Sequence, residues 1–374
     1  MDSEFRQRYD ARRSFEGKAF RSLCYAPFVS LYFEVRGTVR VCCHNVAHLA
    51  GNVLEDSIDE IWSGARIKLL RDDLKNYKYG PGCDFCYFQT AGGNLDNLAA
   101  SRFEYWDVAS EAPEWPQQME FSISNSCNLE CIMCSGLFSS AIRARKEKLP
   151  PLPRVYSDEI LDSLRKYLPH LKQAKFLGGE PFLVTEYHRI WDMMIEDDLR
   201  TPCHVTTNGT QYNRLVERIL NQVPMGFAVS IDGVTRETVE SVRVNAKFDE
   251  VIENARRFRA YSRHKQTPFT LTYCLMKQNW HEFGDYCLMA DEWKCDVYVN
   301  AVIDPPGFGI YTLPTEELRK ILAAMEKQAP FLESHLRRNK AAWFGELERI
   351  REQCRSESGR AEVAKLLEHA DEKL

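Results

Sequence analysis

MEFSISNSCNLECIMC, residues 119–134, sets a short run of alternating apolar residues directly against three cysteines, Cys127, Cys131 and Cys134. The alternation has the period of a strand. On a helix the three cysteines would share a face and could be part of a buried apolar stripe. Asn128 and Glu130 break that stripe, and a segment that leaves a strand directly belongs in the loop at its carboxyl end. A structural zinc site wants four ligands, commonly as two separated pairs, and this triplet has no adjacent fourth. Three thiolates without a fourth suit a [4Fe–4S] cluster with one iron left open to another ligand.

From this stretch toward the C-terminus the same unit recurs. Further strands are expected at AKFLGG, CHVTTNG, GFAVSIDG, FTLTYCLM and DVYVNAV. Amphipathic patterns such as SDEILDSLRKYLPHL, TEYHRIWDMMIEDDL and FDEVIENARRFRAYSRH alternate with them, with Asp or Thr expected as caps. Six strand-helix repeats make an α/β fold, either an open parallel sheet or a partial barrel. The first 115 residues read differently: SLYFEVRGTVRVCC is a hairpin turning at Gly37, and EDSIDEIWSG is an acidic helix. Pro113 and Pro116 mark a junction. The expected domains are 1–115, 116–310 for the repeats and 311–374 for C-terminal helices.

With 374 residues, 44% of them apolar, the chain can bury a large core. A formal charge of −5 without a long basic block offers no electrostatic support for a nucleic-acid or membrane-surface partner. No apolar run reaches the roughly 20 residues of a membrane span, so a cytoplasmic location is expected. Thirteen cysteines is an odd number for a disulfide framework and points to metal. Cys203, Cys274, Cys287, Cys295 and Cys354 are scattered and read as buried small residues.

CNLECIMC after a first strand resembles the signature of the radical S-adenosylmethionine (radical SAM) enzymes. The resemblance implies that Cys127, Cys131 and Cys134 hold a [4Fe–4S] cluster whose open iron takes the amino and carboxylate groups of S-adenosylmethionine, with Met133 near the adenine. Further pieces resemble the family in the same order. Gly178, Gly179 and Glu180 of FLGGEP match the segment that meets the methionine ammonium, Ser230 and Asp232 of SIDG match ribose contacts, and Arg243 matches the arginine that pairs with the methionine carboxylate. Thr207 and Asn208 of TTNGT are weaker candidates for cofactor or substrate contact. The implied fold is a partial (β/α)6 barrel, TIM-like.

Cys24, Cys42, Cys83 and Cys86, the last two as CxxC, resemble the ligands of the auxiliary-cluster module called twitch, a shortened relative of the SPASM domain. The implied second [4Fe–4S] cluster has all four irons ligated. In most relatives this α+β module follows the barrel, whereas here it precedes it. Cys43 competes with Cys42 for the ligand position, His44 and His48 are nearby alternatives, and zinc would take four thiolates equally well.

The resemblance implies reductive cleavage of S-adenosylmethionine to a 5′-deoxyadenosyl radical that abstracts hydrogen from a substrate C–H bond. The first expectation is oxidation of a small polar molecule such as a sugar or cyclitol, with the auxiliary cluster as electron acceptor and a flavodoxin or ferredoxin as electron donor. Alternatives are epimerisation, with Cys274 as hydrogen donor, and modification of a ribosomal peptide. A different class is a non-catalytic iron–sulfur or zinc scaffold or sensor. His204, Lys277 and Asp304 are candidate bases near strand ends.

Overall fold

A computed structural model describes residues 3–91, 95, 98–303 and 305–355. The chain divides into two compact units. One comprises Met1–Ser124, Leu152–Gly178 and Val184–Cys203; the other comprises Asn125–Pro151, Gly179–Leu183 and His204–Leu374.

In the first unit five strands run in the order β3-β2-β1-β4-β5: β1 Ser30–Glu34, β2 Thr38–Arg40, β3 Gly51–Asn52, β4 Gln118–Ser122 and β5 Gln173–Phe176. The β1/β2 hairpin is antiparallel, with Tyr32 opposite Arg40, and Gly37 turns it at φ +86°, a conformation open to glycine. β1 pairs parallel with β4 over five residues, Ser30 against Gln118 through Glu34 against Ser122. That pairing crosses the junction expected near residue 115. The first unit therefore takes in β4 and β5, strands that the sequence pattern groups with the repeats. Composition marks the prolines of a connection, but not which strands pair across it.

Alternation puts Phe33, Phe121 and Phe176 on one face, their rings stacked at 5.3 Å between neighbours. Helix Thr185–Glu196 covers this face with Tyr187 and Trp191, both 5.1 Å from Phe176 and fully buried. Each such ring contributes roughly 1.5–3 kcal/mol by leaving water. The Tyr187 hydroxyl donates to Phe121 O at 2.8 Å and accepts from Ile123 N–H at 3.1 Å, which ties the helix to the end of β4.

In the second unit the order is β6-β7-β8-β9, with β7 Met225–Ser230, β8 Phe269–Leu275 and β9 Asp296–Ala301 paired in parallel; β6, Cys203–Thr207, begins at the boundary. All six strands expected after residue 118 are present. Helix Phe248–Lys265 packs its buried Val251, Ala255 and Phe258 inward, with the Phe258 ring 4.5 Å from Phe227, and ends at Gln266 in the left-handed region. Helix Thr315–His335 contains Pro330.

Two local expectations change. SDEILDSLRKYLPHL forms an α-helix only over Asp158–Ser163 and continues as short 3₁₀ turns, since Pro169 disfavours α geometry at Leu168 and donates no N–H. Its cap is Ser157, which accepts from Ile160 N–H, while the helices at Thr185 and Phe248 have no side-chain cap.

Candidate cluster and cofactor sites

Residues 123–134 form a loop, not a helix. The loop hangs on backbone bonds from Glu130 N–H to Val244 O and from Ile132 N–H to Val242 O, both 3.0 Å, and on Ser139 Oγ donating to Leu129 O at 2.7 Å. Burial pushes the Cys131 thiol up to about 11 and the Cys134 thiol up to about 12. Leu129 N–H lies 3.5 Å and Asn208 Nδ2 3.8 Å from Cys127 Sγ, Arg243 Nη1 is 4.0 Å from Cys131 Sγ, and the Cys134 thiol donates to Ser135 O at 3.7 Å. Donors aimed at sulfur favour thiolate over thiol, the form that iron binds.

The residues expected to contact the cofactor sit around this loop, most of them already engaged. Glu180 is fully buried; it accepts from Thr207 Oγ1 at 2.8 Å and from Asn208 N–H at 2.7 Å, and burial raises its carboxyl to about 7. It thereby braces the TTNGT turn that carries Asn208 toward Cys127. Gly178 and Gly179 have φ +80° and +57°, and a Cβ on Gly179 would stand 2.3 Å from Ser126 O. These glycines serve a close approach of backbone to backbone.

Asp232 and Arg243 pair with each other. Asp232 is fully buried, accepts from Cys274 N–H at 2.6 Å and lies 2.6 Å from Arg243 Nη2. Its charge is spent on the arginine, whose Nε has no hydrogen-bond partner among the described residues. Ser230 Oγ bonds to Thr272 Oγ1 at 2.7 Å. Met133 and Cys274 pack against a cluster of Val242, Met276 and Val302. Burial holds the Cys274 thiol well above its usual range, with Asp232 adding to the effect. Asp304 lies outside the described residues, and Lys277 is ion-paired with Glu317 at 2.7 Å.

The second cysteine group lies in the first unit. Cys24, Cys42, Cys83 and Cys86 line one cavity with His44, Asn45, Tyr79, Phe85 and Phe103. Cys43 is not among the lining residues; its sulfur lies 3.9 Å from Arg102 Nη1. His48 meets Arg66 O at 3.1 Å. Here every thiol has an N–H donor: Ala26 N–H to Cys24 at 3.4 Å, the His44 backbone to Cys42, Asn45 Nδ2 to Cys83 at 3.6 Å and the Ala100 backbone to Cys86. Burial raises all four thiols, Cys83 to about 11 and Cys86 to about 12. Among the described residues no three His, Cys, Asp or Glu side chains close on a single-ion site. Cys43 faces a donor too, so what sets Cys24, Cys42, Cys83 and Cys86 apart is the cavity they share, and buried thiols grouped in this way fit an iron–sulfur cluster.

Two family models match these two regions. Residues 121–290 match the radical SAM superfamily, and residues 24–87 match SPASM, an iron–sulfur cluster-binding domain. The chain carries a SPASM domain followed by a radical SAM domain. The fold is accordingly α/β with the family's partial barrel. The radical SAM domain binds S-adenosylmethionine and a [4Fe–4S] cluster, and the SPASM domain binds an auxiliary cluster. No curated protein matches the sequence. Similar solved structures include Streptococcus suis SuiB bound to precursor peptide SuiA, at 15% identity and TM-score 0.41, covering 71% of this chain and 64% of that one. Native anSMEcpe with bound AdoMet is similar at 18% identity and TM-score 0.43, covering 59% and 62%. A further anSMEcpe structure, with AdoMet and Cp18Cys peptide, has 18% identity and TM-score 0.39, covering 59% and 61%. This radical SAM chain thus spans less than two thirds of the length of each of these structures.

One residue of the radical SAM chain escaped the sequence reading. Glu120 on β4 stands between Tyr32 on β1 and Lys175 on β5 in register, on the sheet face opposite the Phe33–Phe121–Phe176 stack. Its half-buried carboxylate has no hydrogen-bond partner among the described residues, and burial raises its pKa while Lys175 and Arg102 pull it back. A charged residue amid strand alternation looks like an ordinary solvent-facing position. Only the pairing with β1 and β5 places it at the centre of a sheet.

Proposed function

We propose that this radical SAM protein is an enzyme that abstracts hydrogen from a carbon of a peptide substrate and oxidises it. The observation that carries the catalytic reading is the loop of Cys127, Cys131 and Cys134, with N–H donors on Cys127 and Cys131 and the buried Arg243 beside it. Bound there, the cluster and S-adenosylmethionine supply the chemistry, a 5′-deoxyadenosyl radical made by one-electron cleavage of the sulfonium.

The chain's own residues do the positioning. Glu180 holds Thr207 and Asn208, Asn208 reaches Cys127, and Arg243 holds Asp232 while facing Cys131. SuiB and anSMEcpe are named above with peptides, and a peptide takes first place here over the sugar or cyclitol expected from the sequence.

The test is anaerobic. The chain is reconstituted with iron and sulfide and given dithionite and S-adenosylmethionine, alone and with candidate peptides or cyclitols, and 5′-deoxyadenosine and substrate mass are followed. Formation of 5′-deoxyadenosine that Cys131→Ala abolishes, with a two-mass-unit loss from a peptide, supports the proposal. The same loss from a cyclitol alone moves the substrate class, and no cofactor cleavage with any of them removes the enzyme reading.

A further inference from the structure

Among the described residues, His44 Nε2 is the buried side-chain atom lining the SPASM cavity that has no hydrogen-bond partner. His44 lines this cavity beside Cys24, Cys42, Cys83 and Cys86. The ring is held in place, stacked flat on Phe85 with centroids 4.2 Å apart and planes 8° apart. Phe85 sits between Cys83 and Cys86, so the CxxC turn that brings two thiols also anchors the imidazole. The backbone N–H of His44 already serves Cys42.

A buried ring nitrogen left without a partner costs roughly 1–3 kcal/mol, which an aliphatic residue in that place would avoid. Main-chain groups and Asn45 already supply N–H donors to the four thiols. In the tautomer that carries its proton on Nε2, the ring lacks an acceptor, and sulfur is the acceptor that an iron–sulfur cluster brings into this cavity. We propose that His44 donates an Nε2–H···S hydrogen bond to the auxiliary cluster and raises its reduction potential. An N–H dipole aimed at the cluster stabilises the reduced state, which carries one more negative charge, over the oxidised one. His44 acts here as a positioning residue toward the cluster, and the proposal rests on the SPASM cavity holding one.

The test uses the full chain with Cys127, Cys131 and Cys134 all changed to Ala, so that only the auxiliary cluster is read. An EPR-monitored redox titration compares this protein with versions also carrying His44→Leu or His44→Gln. The expected result is a lower midpoint potential for His44→Leu at unchanged iron, about four per chain, and recovery of most of the shift by His44→Gln, whose amide still donates. An unchanged potential in His44→Leu overturns the proposal. Pulsed EPR on the protein labelled with [15N]histidine needs no His44 variant: a weak nitrogen coupling supports the hydrogen bond, while the strong coupling of a ligated nitrogen, or none, overturns it. Failure of the parent to bind iron at all would defeat the auxiliary-cluster reading beneath the proposal, and iron analysis tells the two failures apart.

Discussion

Arg243 Nη2 lies 2.6 Å from Asp232 Oδ2, with side chains only 8% and 0% exposed. A buried pair of this kind contributes little net stability, yet removing one partner is expensive because the other stays charged and buried. Asp232→Ala should therefore lower the unfolding free energy of the metal-free chain by about 3–5 kcal/mol in urea. The double change Asp232→Ala with Arg243→Met should recover much of that loss. Additive losses would mean that the two side chains act separately.

Cys42 lines the SPASM cavity and Cys43 does not. Cys42→Ser should cut reconstituted iron from about eight to about four per chain, while Cys43→Ser should leave it at about eight. The reverse pattern would assign the ligand to Cys43.

Glu180 carries a pH dependence of known sign. Burial raises its carboxyl from an ordinary 4.5 to about 7, so between those values the folded chain holds a proton that the unfolded chain has lost. Its contribution to stability is present in full below pH 4.5 and is lost as pH rises through about 7. Urea midpoints of the metal-free wild type should fall over this range relative to Glu180→Gln. Parallel profiles would show that Glu180 titrates as it does in the unfolded chain.

Gly179 combines φ +57° with a Cβ position 2.3 Å from Ser126 O. Gly179→Ala should destabilise the chain by about 1–3 kcal/mol from backbone strain alone, with the clash added, and should lower the thermal midpoint. Gly307 also has a positive φ, +87°, but nothing within 4 Å of its Cβ position. Gly307→Ala should therefore cost less, and equal losses would show that the close approach at Ser126 carries no weight.

Spacing along the chain was enough to expect the strands, the cysteine triplet and the four SPASM cysteines. Alternation and helical periodicity are written in consecutive residues, and CxxxCxxC and CxxC are local patterns. The sequence left Cys42 and Cys43 undivided, because adjacent residues have the same chemistry and only the backbone direction after β2 separates a sulfur in the cavity from one beside Arg102. It matched Glu180, Asp232 and Arg243 to cofactor contacts without showing that Glu180 also engages Thr207 and Asn208 or that Asp232 pairs with Arg243. Charges far apart in sequence find each other only when burial removes the water that would otherwise solvate them.

The sequence by itself determined the α/β repeat and the cysteine motifs by which the chain resembles its family, since hydrophobic period and residue spacing are properties of short segments. Tertiary structure alone decided that β1 pairs with β4 across the two prolines, that Glu120 stands at the middle of a sheet, and that His44 Nε2 is buried with nothing to bond. Each of these depends on long-range strand pairing and on exclusion of water, and neither is encoded within a local window.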